Sequence, residues 1–324
     1  MRTAGLVTLL LIATLLLAGF SMLLGPGNVG IAEIQAGLDR GQAMILYSLR
    51  LPRTLMAVFA GASLGVSGAL MQTFFRNPLA EPYITGVSAG GAVGAVAGIS
   101  LGLSGAIPIA LAAMAGGGLI TVALFLFGLR DRQHTSMAVL LLGMALGTFC
   151  GAVVWFLLLR GGPGGTDRAL AWLLGRVATV GYEELLPLIP VVVIASAFAF
   201  RLSPMLDIFL LGEEKAATLG VDIPSARRLI MGLATLLATV CVAFCGVIAF
   251  VGLIVPHIAR GIVGGLHRRL LPVCAVGGAC LVLAFDIASR TIDPPREIPL
   301  TILTSLLGAP FFIAVLLKLR RVAV

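Results

Sequence analysis

The sequence predicts an all-α integral membrane protein with about ten transmembrane helices. Of its 324 residues, 59% are hydrophobic and only 11% are charged, whereas a soluble domain has about 25% charged residues. Apolar runs long enough to cross a bilayer, about 20 residues each, recur along the chain. Glycine, proline and charged residues separate these runs, as expected for loops between spanning helices.

Ten apolar runs give the predicted helices in order. They lie at 4–24, 54–74, 85–103, 106–129, 136–159, 184–201, 229–250, 251–266, 272–289 and 299–317. The first run follows Arg2, as in a signal peptide, but no small-residue cleavage site ends it. We therefore expect a retained first helix.

The formal net charge of +8 is interpreted through the positive-inside rule rather than as a sign of nucleic-acid binding. If the N-terminus is cytoplasmic and the ten spans alternate, most of the lysines and arginines fall in cytoplasmic loops. Both termini are then predicted to be cytoplasmic. Several arginines remain on the outer side and need a further explanation.

Enzymatic motifs are scarce. Neither of the two lysines follows a glycine, so there is no G-K-[ST] motif and no P-loop for ATP hydrolysis. The histidines and cysteines lack metal-site spacing, which predicts no metal site. A remote alternative is an intramembrane serine protease, because Gly65–Gly68 reads G-V-S-G, as in rhomboids. Ser67 would then need His257 as its base.

Polar residues inside the runs suggest two further features. Asp286 and Arg290 are four residues apart and are predicted to form an ion pair on one helix face. If Asp286 bound an ion instead, the chain would be an ion-gradient-driven secondary transporter. "RNPLAEP" (76–82) and "IVPHIAR" (254–260) carry prolines that predict interrupted helices.

Glycines at four-residue spacing, such as Gly61 with Gly65 and the series Gly90, Gly94 and Gly98, predict close helix packing. Small residues in such rows let helix backbones approach each other in lipid.

Four long segments resemble the FecCD family, the permease subunits of type II ABC importers for vitamin B12, haem and iron–siderophores. They are "SLRLPRTLMAVFAGASLGVSGALMQTFFRNPLAEPYITGVSAGGAVG" (48–94), "LGEEKAATLGV" (211–221), "FVGLIVPHIAR" with "HRRLLP" (250–260 and 267–272), and "FDIASR...EIP...TSLLGAPFF" (285–312). One departure is Thr301, where the family usually has glycine.

The resemblance implies a single transmembrane permease domain over 1–324 with a vitamin B12-importer-like permease fold and a cytoplasmic coupling segment at about 202–228. It implies a homodimer in the bacterial inner membrane, two ATPase subunits on the cytoplasmic side and a substrate-binding protein outside. ATP and Mg would bind to the ATPases. This chain would bind no cofactor, catalyse no reaction and contact no nucleic acid.

The resemblance also implies roles for individual residues. Binding-protein docking is expected at Arg50 and Arg290, and the translocation pathway at Ser67, Met71 and Gln72. The residues expected to couple to the ATPase are Leu211, Gly212, Glu213, Glu214, Ala216, Leu219 and Gly220. The cargo, an iron–siderophore, haem or cobalamin, stays open at this point.

Overall fold

A computed structural model describes residues 2–25, 30–128, 136–175, 181–294 and 296–322. Within those ranges the chain forms helices and connecting segments, with no β-strand. The first half contains α1 (Arg2–Leu23), α2 (Ile31–Ala36), α3 (Arg40–Met44), α4 (Leu51–Phe75), α5 (Val87–Ser100), α6 (Ala106–Ala123), α7 (Ser136–Arg160) and α8 (Pro163–Leu173). The second half contains α9 (Tyr182–Arg201), α10 (Ser203–Phe209), α11 (Glu213–Thr218), α12 (Ile223–Cys245), α13 (Val251–Val263), α14 (His267–Thr291) and α15 (Leu300–Val322). Short π-helical segments, Ile45–Arg50 and Leu124–Gly128, precede α4 and follow α6.

The ten predicted runs correspond to ten of these helices. In the described residues, seven helices are long and apolar enough to cross a membrane, and three shorter apolar helices accompany them. They are α5 (Val87–Ser100), α13 (Val251–Val263) and the stretch Leu300–Val315 of α15. The predicted all-α membrane fold with about ten helices is confirmed.

Prolines mark several helix starts. Pro52, Pro204 and Pro224 lie in the first turns of α4, α10 and α12. Proline suits the first turn because the amide hydrogen it lacks has no helical acceptor there. Pro256 behaves differently, since α13 continues through it. The predicted break at 254–260 is therefore wrong in position, and the helix is interrupted earlier, at 246–250.

Helix α4 lies at the centre of the bundle, packed against α12, α13 and α14. Its glycines make this possible. A Cβ atom on Gly61 would lie 2.2 Å from the carbonyl oxygen of Gly278, and one on Gly65 would lie 2.1 Å from that of Cys274. No real side chain tolerates such distances, so the predicted role of this glycine row in close packing is confirmed.

A second glycine row joins α5 to α6. A Cβ atom on Gly94 would lie 2.0 Å from the carbonyl oxygen of Ala112, and one on Gly90 would lie 2.7 Å from that of Gly116. The predicted row at Gly90, Gly94 and Gly98 therefore also serves helix packing.

The bundle has two ends, which we name the α10 end and the opposite end. At the α10 end, the last turn of α4 meets α10 and the first turn of α14. At the opposite end, the first turn of α4 meets the last turns of α1 and α14. Phe125 and Leu126, just after α6, line a cavity with Glu213. The start of α6 and the end of α5 therefore lie at the opposite end.

Candidate functional site

The segment at the α10 end folds into two short helices. Leu206 and Phe209 of α10 are fully buried and anchor that helix to the bundle. Gly212 has φ +104° where α11 begins, and Gly220 has φ +85° after it ends. Only glycine adopts such angles without strain, so these residues define the limits of α11.

An ion pair holds α11 in place. The guanidinium of Arg227 on α12 donates to both carboxylate oxygens of Glu213, with Nε 3.0 Å from Oε1 and Nη2 bonded to Oε2. This two-point geometry fixes orientation as well as distance, because the planar guanidinium matches the planar carboxylate. Glu213 is thus engaged within the chain.

The remaining side chains of the segment divide into one inner and several outer positions. Ala216 is fully buried, whereas Leu211 is 57% and Leu219 59% exposed. Glu214 and Lys215 are exposed on the same short helix. The result is a firmly held surface that presents two leucines and two opposite charges.

Two helices are too short to cross the bilayer alone. α5 has 14 residues and α13 has 13, which gives about 20 Å each at 1.5 Å per residue. The hydrocarbon core is about 30 Å thick. Non-helical chain, at 76–86 and 246–250, leads into both helices. Non-helical backbone is tolerated at membrane depth where other protein groups form hydrogen bonds with its free amides and carbonyls.

The structure supplies those groups. The Phe250 amide donates to the Glu81 carboxylate at 3.1 Å, and Glu81 is buried. The Thr301 hydroxyl donates to the carbonyl of Val247. Thr301 is the position that departs from the family pattern, and here its hydroxyl satisfies a carbonyl of the interrupted segment.

Four charged side chains pair at the opposite end. Nε of Arg53 lies 2.8 Å from Asp286 Oδ1, and its two terminal nitrogens bond both oxygens of Glu297. Arg290 lies 3.2 Å from the other Asp286 oxygen, so the predicted i, i+4 pair is present. Asp286 is fully buried between two guanidinium groups, which a bound cation would have to displace.

Arg50 and Arg290 cap the end of α1. Arg50 donates to the carbonyls of Met22, at 2.6 Å, and Gly25. Arg290 donates to those of Ser21 and Leu24 at 3.1 and 3.0 Å. The last carbonyls of a helix lack helical donors and carry partial negative charge, so two guanidiniums suit this position. Both arginines are buried, and their predicted docking role stays a prediction.

The three predicted pathway residues lie inside the chain. Ser67 and Met71 are fully buried and Gln72 nearly so. The Ser67 hydroxyl donates to the Ala234 carbonyl at 2.6 Å, and the Gln72 amide donates to that of Leu253 at 3.3 Å. In this conformation Ser67 faces α12 and Gln72 faces α13, and the lining of a pathway by all three residues stays a prediction.

Sequence reasoning missed four polar residues that the structure makes prominent. They are Arg53, Glu81, Asp207 and His267. Each makes its contacts with residues far along the chain, so no local pattern identifies the partner. All four lie between the predicted apolar runs, so charge at membrane depth did not single them out either. Among the described residues, no group of three or more His, Cys, Asp or Glu could hold a metal ion.

The spanning helices, the two short helices α5 and α13, and the pair α10 and α11 at one end define a multi-pass membrane protein. Residues 8–318 match the model of the FecCD transport family. The chain belongs to the FecCD transport family, the permeases of ABC importers for metal chelates, haem and vitamin B12.

Individual relatives agree with this. The chain is 41% identical to the cobalamin import system permease protein BtuC of Halobacterium salinarum, over 88% of this chain and 76% of that one. It is 36% identical to the Fe(3+) dicitrate transport system permease protein FecD of Escherichia coli, over 97% and 99%. It is 35% identical to the hemin transport system permease protein HmuU of Yersinia pestis, over 96% of each.

A solved structure agrees as well. An inward-facing metal-chelate type ABC transporter superimposes with a TM-score of 0.88 at 32% identity, covering 97% of this chain and 99% of that one. The relatives are transport permeases, and the protease alternative finds no support in the geometry, because Ser67 is fully buried and bonded to a main-chain carbonyl.

Proposed function

We propose that the chain is the membrane-spanning permease of an ATP-driven importer that moves a metal chelate into the cell. The observation that carries this proposal is the α10–α11 segment, a pinned surface with exposed leucines at the end of a membrane bundle. A purely gradient-driven carrier has no use for such a surface. Exposed apolar side chains on a rigid support are typical of a protein contact.

In this proposal the segment inserts into a cleft on an ATPase subunit. Leu211 and Leu219 would supply apolar contacts, and Glu214 would set orientation through charge. Two such ATPases would bind ATP and Mg and hydrolyse ATP. Movement of the ATPases would displace α10 and α11 and so change the tilt of the spanning helices. This chain would transmit the conformational change and perform no covalent chemistry.

The proposed assembly is a homodimer around a central pathway, in the bacterial inner membrane with both termini cytoplasmic. A substrate-binding protein would dock at the opposite end. In a two-fold dimer Arg50 and Arg290 each appear twice, which suits a two-lobed partner with a carboxylate on each lobe. A docked carboxylate would have to share these guanidiniums with the carbonyls of α1.

The proposed cargo is a bulky metal chelate: an iron–siderophore, haem or cobalamin. The relatives named for cobalamin, ferric dicitrate and hemin are all 35–41% identical to this chain, so overall identity favours none of them. Ser67, Met71 and Gln72 would line the pathway if α12 and α13 separate from α4 during the transport cycle. A Met71→Cys variant would then react with a thiol reagent only during turnover.

The test is reconstitution with the ATPase encoded beside this chain. Wild type and Glu214→Arg would be co-expressed with the ATPase and placed in nanodiscs, and hydrolysis would be measured with and without the binding protein. Glu213 is not a suitable target, because its loss would disturb α11 itself. Glu183→Arg is the matched control, since Glu183 is an exposed acid at the opposite end.

We expect wild type and Glu183→Arg to assemble with the ATPase and to hydrolyse ATP, and Glu214→Arg to lose association with the ATPase. The response to the binding protein is measured on wild type, because Glu183 lies at the end where that protein would dock. Vesicles loaded with each candidate chelate in turn would then identify the cargo. The proposal fails if this chain, purified alone, transports a solute driven only by an ion gradient. Asp286→Asn would then be the variant to study.

A further inference from the structure

A buried network of hydrogen bonds joins α10 to α4 through one histidine. His267 is the first residue of α14. Its main-chain amide donates to Asp207 Oδ1 on α10 at 2.8 Å, and its ring Nδ1 lies 2.6 Å from the same oxygen. Its other ring nitrogen, Nε2, lies 2.7 Å from the hydroxyl oxygen of Thr73 on α4. Three helices therefore meet at a single imidazole.

A fourth helix, α13, joins this hydrogen-bond network at Thr73. Arg260 on α13 donates from Nη2 to the Thr73 hydroxyl oxygen and from Nε to the Gln72 side-chain oxygen, both at 3.3 Å. Gln72 in turn donates to the carbonyl of Leu253, near the start of α13. The network thus reaches from the coupling segment to the last turn of the central helix and to one of the two interrupted helices.

Burial makes these bonds strongly constraining. His267 and Thr73 are both fully buried, so a displaced ring would leave polar atoms without water to replace their partners. The Asp207 carboxylate can only accept, so Nδ1 carries the hydrogen between them. Nε2 and the Thr73 hydroxyl then complete the second bond, with either one as donor.

Asp207 is the partly exposed end of the series Asp207–His267–Thr73. Its side chain is 25% exposed, against 0% for His267. It lies on α10, one residue after the buried anchor Leu206. A displacement of α10 must therefore either break the two bonds to His267 or carry the first turn of α14 and the last turn of α4 with it.

We propose that the hydrogen-bond network Asp207–His267–Thr73 transmits movement of α10 to α4, and that His267 is the positioning residue that couples ATP hydrolysis to transport. This inference rests on the function proposed above and adds the specific link between the ATPase contact and the central helix. Coupling free energies between sites are typically 1–3 kcal/mol, or about 5- to 150-fold.

The measurement is chelate transported per ATP hydrolysed, in vesicles holding the whole complex. Thr73→Val keeps the shape of threonine and removes the hydroxyl, and Thr73→Ser restores it. His267→Asn keeps a donor near the position of Nδ1 and loses the reach to Thr73. Asp207→Asn keeps an acceptor for the His267 amide, so it should fold even if the others assemble poorly.

We expect Thr73→Val and His267→Asn to reduce transport per ATP at least about fivefold while ATP hydrolysis continues. Thr73→Ser should recover the wild-type ratio of chelate transported to ATP hydrolysed. The ratio of Asp207→Asn should lie between the wild-type value and the values of Thr73→Val and His267→Asn. A merely structural network would instead lower the yield of complex and both activities together, at an unchanged ratio. An unchanged ratio in Thr73→Val and Asp207→Asn overturns the inference.

The same vesicles separate this inference from the proposed function. If wild type shows no ATP-dependent uptake of any of the three chelates, the proposed function is overturned and the link with it. If wild type transports and every variant keeps its ratio, only the link is overturned.

Discussion

The two ends of the bundle use charge in opposite ways. At the opposite end, Arg53, Asp286 and Arg290 are buried and bonded within the chain. At the α10 end, Glu214 and Lys215 of α11 are exposed between the two exposed leucines that flank this helix, Leu211 and Leu219. The first arrangement ties helices together, and the second presents a surface. The position of a charged residue in the fold, rather than its type, therefore separates structural from recognition roles in this molecule.

The largest effect on stability is expected from Asp286→Ala. The change removes the carboxylate between Arg53 and Arg290 and leaves buried positive charges facing each other. Loss of one partner of a buried ion pair costs about 3–5 kcal/mol. We expect a much lower thermal unfolding midpoint in detergent, or no folded protein. Glu183→Ala is the control, and a similar midpoint for both variants would contradict a tying role for this cluster.

A smaller effect on stability is expected along α4, the helix that runs between the two ends. A Cβ atom on Gly68 would lie 1.9 Å from the Gly252 carbonyl oxygen, so Gly68→Ala must push α13 away from α4. Overpacking of this kind costs about 1–3 kcal/mol, occasionally more. Gly232→Ala on α12 is the matched control, because its Cβ meets nothing within 4 Å. Equal midpoints for the two variants would show that α4 and α13 separate easily.

The ion pair of Glu213 with Arg227, which holds α11, should contribute less to global stability. Glu213→Gln weakens the bond to Arg227, whose side chain is 13% exposed, and partly exposed pairs contribute up to about 1 kcal/mol. We expect little change in the global midpoint and faster amide hydrogen exchange in Glu213–Thr218, because a local opening becomes easier. Glu214→Gln should leave the exchange rates unchanged. Equal exchange in both variants would contradict a pinning role for Glu213.

The smallest effect on stability is expected from Leu219→Asp. The side chain is largely exposed, and exposed positions usually tolerate substitution within about 0.5 kcal/mol. The thermal midpoint should stay near wild type while co-purification with the ATPase is lost. Retained co-purification would remove Leu219 from the contact, and Leu211→Asp would then test the other exposed leucine.

Local patterns predicted the features that depend on neighbours in the sequence. Run length predicted the ten helices, four-residue glycine spacing predicted the close contacts at Gly61 and Gly94, and i, i+4 spacing predicted the pair of Asp286 with Arg290. Gly212 and Gly220 were predictable as the limits of α11, because turns that require positive φ favour glycine.

The missed features all depend on contacts between distant residues. Arg53 pairs with Asp286 across 233 positions, and His267 contacts Thr73 across 194. Periodicity states which face of a helix is apolar but not which helix lies against it. The break before α13 was misplaced for a related reason. Proline at 256 is accommodated inside the helix, while Glu81 and Thr301 stabilise the non-helical chain at 246–250 from elsewhere in the fold.

One experiment tests most directly whether the α10 end is the contact with the ATPase. A photo-crosslinking amino acid, p-benzoylphenylalanine, would replace Leu219 in one variant and Leu101 in another. Both leucines are exposed, at 59% and 85%, but Leu101 lies at the opposite end. Irradiation of the assembled complex should link position 219 to the ATPase and position 101 to none of it. Cross-links to the ATPase from position 101, or none from position 219, would contradict the proposed architecture.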